Sequence, residues 1–175
     1  MLAGASATLA RRCDRLTMVA RTRSSLSKCA HELQGPAHIH SLAVDWTDRQ
    51  DFLGVLSAHV EDFGYPDLLL AWLYYDALGP EVVRVVAGHQ HPCSVYQVRS
   101  SAAGNPAADP WSFLNGHVPA SNVAYRQVVL GFRVIGGASS WLSNTEISEG
   151  VIDAIDGDAG PISVVGATEP WSLRP

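Results

Sequence analysis

An α/β protein with a mainly parallel sheet is the fold class this sequence predicts, on three observations. Strand-like apolar runs alternate with helix-like patterns along the chain, the order that builds parallel βαβ units. The run from Asp67 to Trp72 is nearly all apolar, as a central parallel strand buried on both faces must be. No linker or internal repeat divides residues 1–175, so the pattern describes a single domain.

The elements follow in order. Met1-Leu2-Ala3-Gly4 runs into a helix over residues 5–12, and a strand from Leu16 to Ala20 is closed by Arg21. Ser24 is placed to cap a helix over residues 24–33, which Gly35-Pro36 breaks. The next strand, Ile39 to Val44, ends at Asp45. A longer helix over residues 48–63 sets Phe52, Leu56, His59 and Phe63 on one face, and Gly64-Tyr65-Pro66 stops it. After the apolar strand, Pro80 opens a helix over residues 81–87, and Cys93 to Val98 is a further strand. Residues 100–121 are rich in Ala, Gly, Pro and Asn and show no period; a long irregular segment in a compact domain is often functional or lies over a site. One strand from Val123 to Val134 is ended by Gly136-Gly137. Ser143-Asn144-Thr145-Glu146 is a capping box ahead of Ile147, Val151 and Ile155, and Ile162 to Val165 closes the sheet.

Composition narrows the function classes. Apolar residues make up 47% and charged residues 17%, which suits a folded soluble chain. The formal charge of -5 gives no reason to expect nucleic acid as a partner, and no apolar run is long enough to span a membrane. Cys13, Cys29 and Cys93 are odd in number and widely spaced, so a reducing cytoplasm is the simplest compartment. Residues 1–30 carry Arg11, Arg12, Arg15, Arg21, Arg23 and Lys28 against Asp14 alone, which invites reading as a transit peptide. The strand inside that segment, continuous in order with the rest, opposes it.

Four places carry a family resemblance. Leu2-Ala3-Gly4-Ala5-Ser6 looks like the end of a glycine-rich turn entering a first helix. Arg21 follows the strand after that helix. Val44-Asp45-Trp46-Thr47-Asp48 forms an Asp-containing turn after the next strand. Val98-Arg99-Ser100-Ser101-Ala102-Ala103-Gly104 follows a later strand. Together they resemble the short-chain dehydrogenase/reductase family, in its atypical, shortened members. The resemblance implies a Rossmann-like three-layer α/β/α fold that binds a dinucleotide, commonly as a homo-oligomer. It implies contacts from Gly4, Arg21, Arg23, Asp45, Trp46, the strand end at Ala71 and Trp72, and Ser100. An acid after the second strand of such a fold binds a ribose 2′-OH, whereas a guanidinium grips a 2′-phosphate; Arg21 and Arg23 therefore favour NADP over NAD. The same residues also read as a solvated basic turn at Arg21 and Arg23, a turn former at Asp45, a packing glycine at Gly4, a core side chain at Trp72 and a strand-end turn residue at Ser100.

The departures from the family are as informative. The initial strand and most of the glycine turn are missing from this sequence. A parallel sheet lacking that strand would leave unpaired backbone edges inside the protein. The expectation is a native start upstream, with Met1 internal to the glycine turn, or else a truncation patched by a partner chain or by rearranged strands. The family's Tyr and Lys pair is also absent: Lys28 is the only lysine and precedes every tyrosine, and Tyr125 is followed by Arg126-Gln127-Val128-Val129. A tyrosine of pKa about 10 is a poor base at neutral pH without such help, and no other catalytic residue stands out.

His89-Gln90-His91-Pro92-Cys93 offers zinc ligands or a His-assisted thiol, but no second cluster supplies a fourth ligand, and no metal is expected. The expected function is an NADP-preferring, short-chain dehydrogenase-like oxidoreductase acting on an unknown small molecule without the usual Tyr-Lys mechanism. The alternatives are a non-catalytic nucleotide-binding or regulatory module of the same fold and, failing both, a metal-dependent hydrolase.

Overall fold

The computed structural model describes residues 1–73, 78–88, 90–100, 121–157 and 160–175. In chain order the elements are α1 (Ala3–Ala10), β1 (Arg15–Ala20), α2 (Arg23–Glu32), β2 (His38–Ala43), α3 (Arg49–Phe63), β3 (Leu68–Ala71), α4 (Gly79–Ala87), β4 (Cys93–Ser100), β5 (Val123–Leu130), β6 (Phe132–Ile135), β7 (Ala138–Trp141), α5 (Asn144–Asp156) and β8 (Ile162–Val165), followed by a short 3₁₀ turn (Trp171–Leu173). Most of the irregular segment expected over residues 100–121 lies outside the described residues.

Side-chain caps set most helix starts. At α5 the capping box is complete: the Ser143 hydroxyl accepts from the Glu146 amide at 3.2 Å and the Glu146 carboxylate accepts from the Ser143 amide at 2.8 Å. Asp48 caps α3 by accepting from the Asp51 amide at 3.1 Å. The cap of α2 is Thr22 rather than the expected Ser24: Thr22 is extended and its hydroxyl accepts from the Ser25 amide, while Ser24 is already in the helix.

The strands do not form one continuous sheet. β3, β4, β5 and β8 make a four-stranded, all-parallel sheet in the order β3-β4-β5-β8, whereas β1 and β2 pair in parallel with each other alone. β3 is thus an edge strand, half-buried along its length, and not the fully buried central strand that its apolar run predicts. The expected strand over 123–134 is two strands broken at Gly131. A Cβ at Gly131 would collide with the Ala167 carbonyl, and the Gly131 amide donates to Val165 O at 2.9 Å. Gly136 and Gly137, with φ of 58° and 82°, are the turn of an antiparallel β6–β7 hairpin. They end the strand as expected, but by turning the chain into β7, which was not foreseen.

Helices cover both faces of the larger sheet. Ala5 of α1 and Ile147 and Val151 of α5 pack on Tyr96, Val98, Val128 and Leu130. On the opposite face Ala87 of α4 packs on Cys93 and Val95. Phe52 and Leu56 of α3 join Val82 and Val86 of α4 around Val44. A mixed α/β architecture with helices flanking a parallel sheet is therefore what the chain forms. Arg12 to Asp156, at 2.6 Å, ties the end of α1 to that of α5, and the Arg49–Glu81 pair ties α3 to α4. Both are exposed and add little stability.

Two glycines give opposite expectations. Gly131→Ala forces a methyl into the Ala167 backbone and is expected to cost about 2–3 kcal/mol, in the range of overpacked sites. Gly54→Ala, in mid-α3 with open space around it, is expected to gain about 0.5–1 kcal/mol from lost unfolded-state entropy and better helix propensity. Urea denaturation of both variants checks the signs.

Candidate functional site

Parallel strands deliver the residues that follow them to one edge, where a crevice is the usual ligand site of an open α/β sheet. Here β1 ends at Ala20 and passes to Arg21. β2 ends at Ala43 and passes to Val44, Asp45 and Trp46. β3 ends at Ala71 and passes to Trp72, and β4 ends at Ser100. Ala20, Trp46, Ala71, Trp72 and Ser100 all border one cavity of about 1780 Å³.

The polar groups of this edge are held locally. The Asp45 carboxylate accepts from the Thr47 amide at 3.0 Å and from the Thr47 hydroxyl at 2.8 Å. Those two bonds, with the nearby positive charge of Arg21, lower the Asp45 pKa below the usual carboxylate value. Asp45 therefore shapes the turn and faces the field of Arg21 at once. Arg21 and Arg23 are exposed, with Arg23 opening α2 and bordering a smaller surface recess beside Ser41 and Ala43. Trp46 packs on the core formed by α3 and α4, and Trp72 packs on the opposite one. Gly4 sits in the first turn of α1 against the Ser148 side chain, where a Cβ would come within 2.9 Å. Its smallness thus serves the α1–α5 contact. The Ser148 hydroxyl donates to Met1 O at 3.2 Å in the same contact.

The remaining candidates fall elsewhere. Lys28 is exposed on α2. Tyr125 lies near the amino end of β5, and its hydroxyl donates to Gln97 Oε1 at 2.5 Å. His91 pairs with Asp67 at 3.0 Å. Cys93 is buried, and burial, together with Asp67, raises its thiol pKa, the reverse of what activates a nucleophile. His89 and Ser101 lie outside the described residues, and among the described residues no three His, Cys, Asp or Glu side chains gather as metal ligands. No described helix is long and apolar enough to cross a membrane.

Two groupings were not foreseen. Gln97 and Gln127 lie opposite each other in the β4–β5 register and are almost completely buried. Gln97 Nε2 and both polar atoms of Gln127 find no partner among the described residues. The signal was available: a glutamine interrupts the apolar run at matching positions of two central strands. The second grouping lies at the amino end of β1. His59 Nε2 and Thr17 Oγ1 are 2.8 Å apart, His59 and His40 meet edge to face with Phe63 against both rings, and Arg15 lies over Phe63. Partial burial, His40 and Arg15 lower the His59 pKa, against an opposing contribution from Asp62.

No protein-family model and no curated protein matches the chain.

The His59 shift has a definite sign. Its pKa is lower folded than unfolded, so the unfolded state binds the extra proton as pH falls below about 6.5. The stability contributed by neutral His59 is complete above that pH and is lost as pH drops through the folded pKa. Thermal melts between pH 7.5 and 5 are expected to show falling stability, with a shallower slope in His59→Gln. Cys93 is expected to react with iodoacetamide far more slowly than a free thiol at pH 7, measured by mass spectrometry of the native protein.

Proposed function

We propose that the chain is a dinucleotide-binding domain of the short-chain dehydrogenase/reductase kind, with a Rossmann-like arrangement and a preference for NADP. One observation carries the reading. The carboxyl ends of β1, β3 and β4 and the segments after β2 and β3 meet at one edge, where Ala20, Trp46, Ala71, Trp72 and Ser100 border one cavity. The residue types at those ends support it. Arg21, exposed after β1 with no competing acid of its own turn, suits a 2′-phosphate, which a guanidinium can hold by two parallel hydrogen bonds. Trp46 and Trp72 offer flat apolar surface at the same edge for a base or a nicotinamide ring. The amino end of α1 has no side-chain cap, so its first amides remain available to a pyrophosphate. Gly4 would assist by forming that turn rather than by approaching the phosphate. NADP, when bound, supplies a hydride at its nicotinamide; the chain's residues bind and orient it.

A non-catalytic, nucleotide-sensing role is the second reading, and a specific observation favours it. The only lysine, Lys28, lies on α2, and Tyr125 is near the amino end of β5 and bonded to Gln97. Lys28 precedes every tyrosine in the sequence, so the Tyr and Lys pair of the usual proton donor is absent and hydride transfer coupled to it is not supported.

Calorimetric titration tests the binding claim. NADPH is expected to bind at least about tenfold more tightly than NADH, a difference near 1.4 kcal/mol. Arg21→Glu is expected to reverse the order by repelling the 2′-phosphate. Equal or absent binding of both nucleotides overturns the proposal. NADPH oxidation with a panel of aldehydes and ketones then separates an enzyme from a sensor.

A further inference from the structure

The middle of the larger sheet holds two polar side chains in one row. In the register of β3, β4, β5 and β8, Ala71, Gln97, Gln127 and Ile162 are direct neighbours. Side chains alternate faces along a strand. Tyr96, Val98 and Val128 pack under α1 and α5, and Val95 packs under α4, so Gln97 and Gln127 both lie on the α4 face. Two carboxamides therefore stand side by side in the two central strands. Their exposures are 1% and 0%, a burial that glutamine rarely reaches.

Their hydrogen-bonding capacity is used only in part. The Tyr125 hydroxyl donates to Gln97 Oε1 at 2.5 Å. That bond fixes which way the Gln97 amide faces, engaging its oxygen and leaving Nε2 as a donor. Gln97 Nε2, Gln127 Nε2 and Gln127 Oε1 have no partner among the described residues, and dry polar groups left unpaired are costly. The three groups are two donors and one acceptor, on neighbouring strands about 4.8 Å apart. A carboxylate or a ketone brings no N–H for Gln127 Oε1. A primary carboxamide meets all three groups. Its N–H and C=O close a two-point ring with the Gln127 amide, and its oxygen keeps a second lone pair for Gln97 Nε2.

We propose that Gln97 and Gln127 form a seat for the primary carboxamide group of a small ligand. The ligand's oxygen accepts from Gln97 Nε2 and Gln127 Nε2, and its amide donates to Gln127 Oε1. The seat is closed in this structure and adjoins the large cavity, because Ala71, the register neighbour of Gln97, borders that cavity. Entry is past the Ala71 methyl group. Filling the seat pairs groups that otherwise stay dry, and that difference in free energy is what opens it. The proposal does not rest on the nucleotide reading, since the orphaned groups are there whatever binds at the sheet edge.

Thermal melts and NMR of the glutamine side-chain amides test the seat with probes that share one ring. Benzamide carries the carbonyl and the N–H, acetophenone the carbonyl alone, and benzoate a charge and no N–H. Benzamide at about 10 mM is expected to raise the melting temperature by at least about 3 °C. It should bind at least about tenfold more tightly than either analogue. It should also shift the amide signals of two glutamines, one of them the signal pair that Gln127→Met removes. Gln127→Met deletes two orphaned atoms at similar volume. It is expected to melt about 2–4 °C higher than the unsubstituted chain while losing the benzamide response, a combination that a merely structural glutamine does not give. Equal stabilisation by benzamide and acetophenone overturns the proposal. So does the absence of any response, which leaves the pair to ordered water alone. If Gln127→Met does not fold, the probe preference and the glutamine signals of the unsubstituted chain decide. Adding NADPH separates two sources of the carboxamide. Loss of benzamide binding assigns the seat to the nicotinamide amide of a bound dinucleotide, and unchanged binding assigns it to a separate ligand. Benzamide binding without NADPH binding keeps the seat and overturns only the nucleotide reading.

Discussion

A parallel strand inside a sheet has two sides to satisfy, and this requirement organises the molecule. β4 meets it best, bonded to β5 over its whole length and to β3 from Ser94 to Gln97. Around β4 and β5 the core is complete: Val95, Val98, Val128 and Val129 are almost fully buried, and α5 is locked over them by Val151. Among the described residues, β1 and β3 meet the requirement on one side only. Their surroundings follow suit, with every residue of β3 half-exposed and Val19 of β1 40% exposed. The gradient from a closed core at β4–β5 to open edges at β1 and β3 is thus one of backbone pairing before it is one of hydrophobicity.

How far the chain could be read from its residues depended on how local each determinant was. α5 was legible because its capping box and its four-residue apolar repeat lie within a single turn of each other. Pro80 was legible for the same reason. The cap of α2 was misplaced because Thr22, Ser24 and Ser25 all carry a suitable hydroxyl, and only backbone geometry chooses Thr22. The β6–β7 hairpin was missed because Gly136-Gly137 signals a turn equally well at the end of a sheet and inside a hairpin. β3 read as a central strand since its composition is that of one; how many neighbours a strand has is a property of the whole sheet, which four apolar residues cannot report. The candidate site was legible as strand ends, a local feature. The Asp45–Thr47 turn, the Gly4–Ser148 contact and the buried glutamine pair each depend on backbone geometry or on elements distant in sequence.

Electrostatics separates the two ends of β1 and β2. At the carboxyl end Arg21 and Arg23 are exposed, and the carboxylate of Asp45, which feels the charge of Arg21, is engaged by Thr47. Positive charge there is uncommitted to a full ion pair with that acid and can serve an anion. At the amino end His59, His40 and Arg15 crowd together, with Phe63 among them. Partial burial and like charge lower the His59 pKa, so the neutral form of that imidazole is favoured there. The amino end thus gathers imidazole and aromatic rings, whereas the carboxyl end presents exposed guanidinium groups.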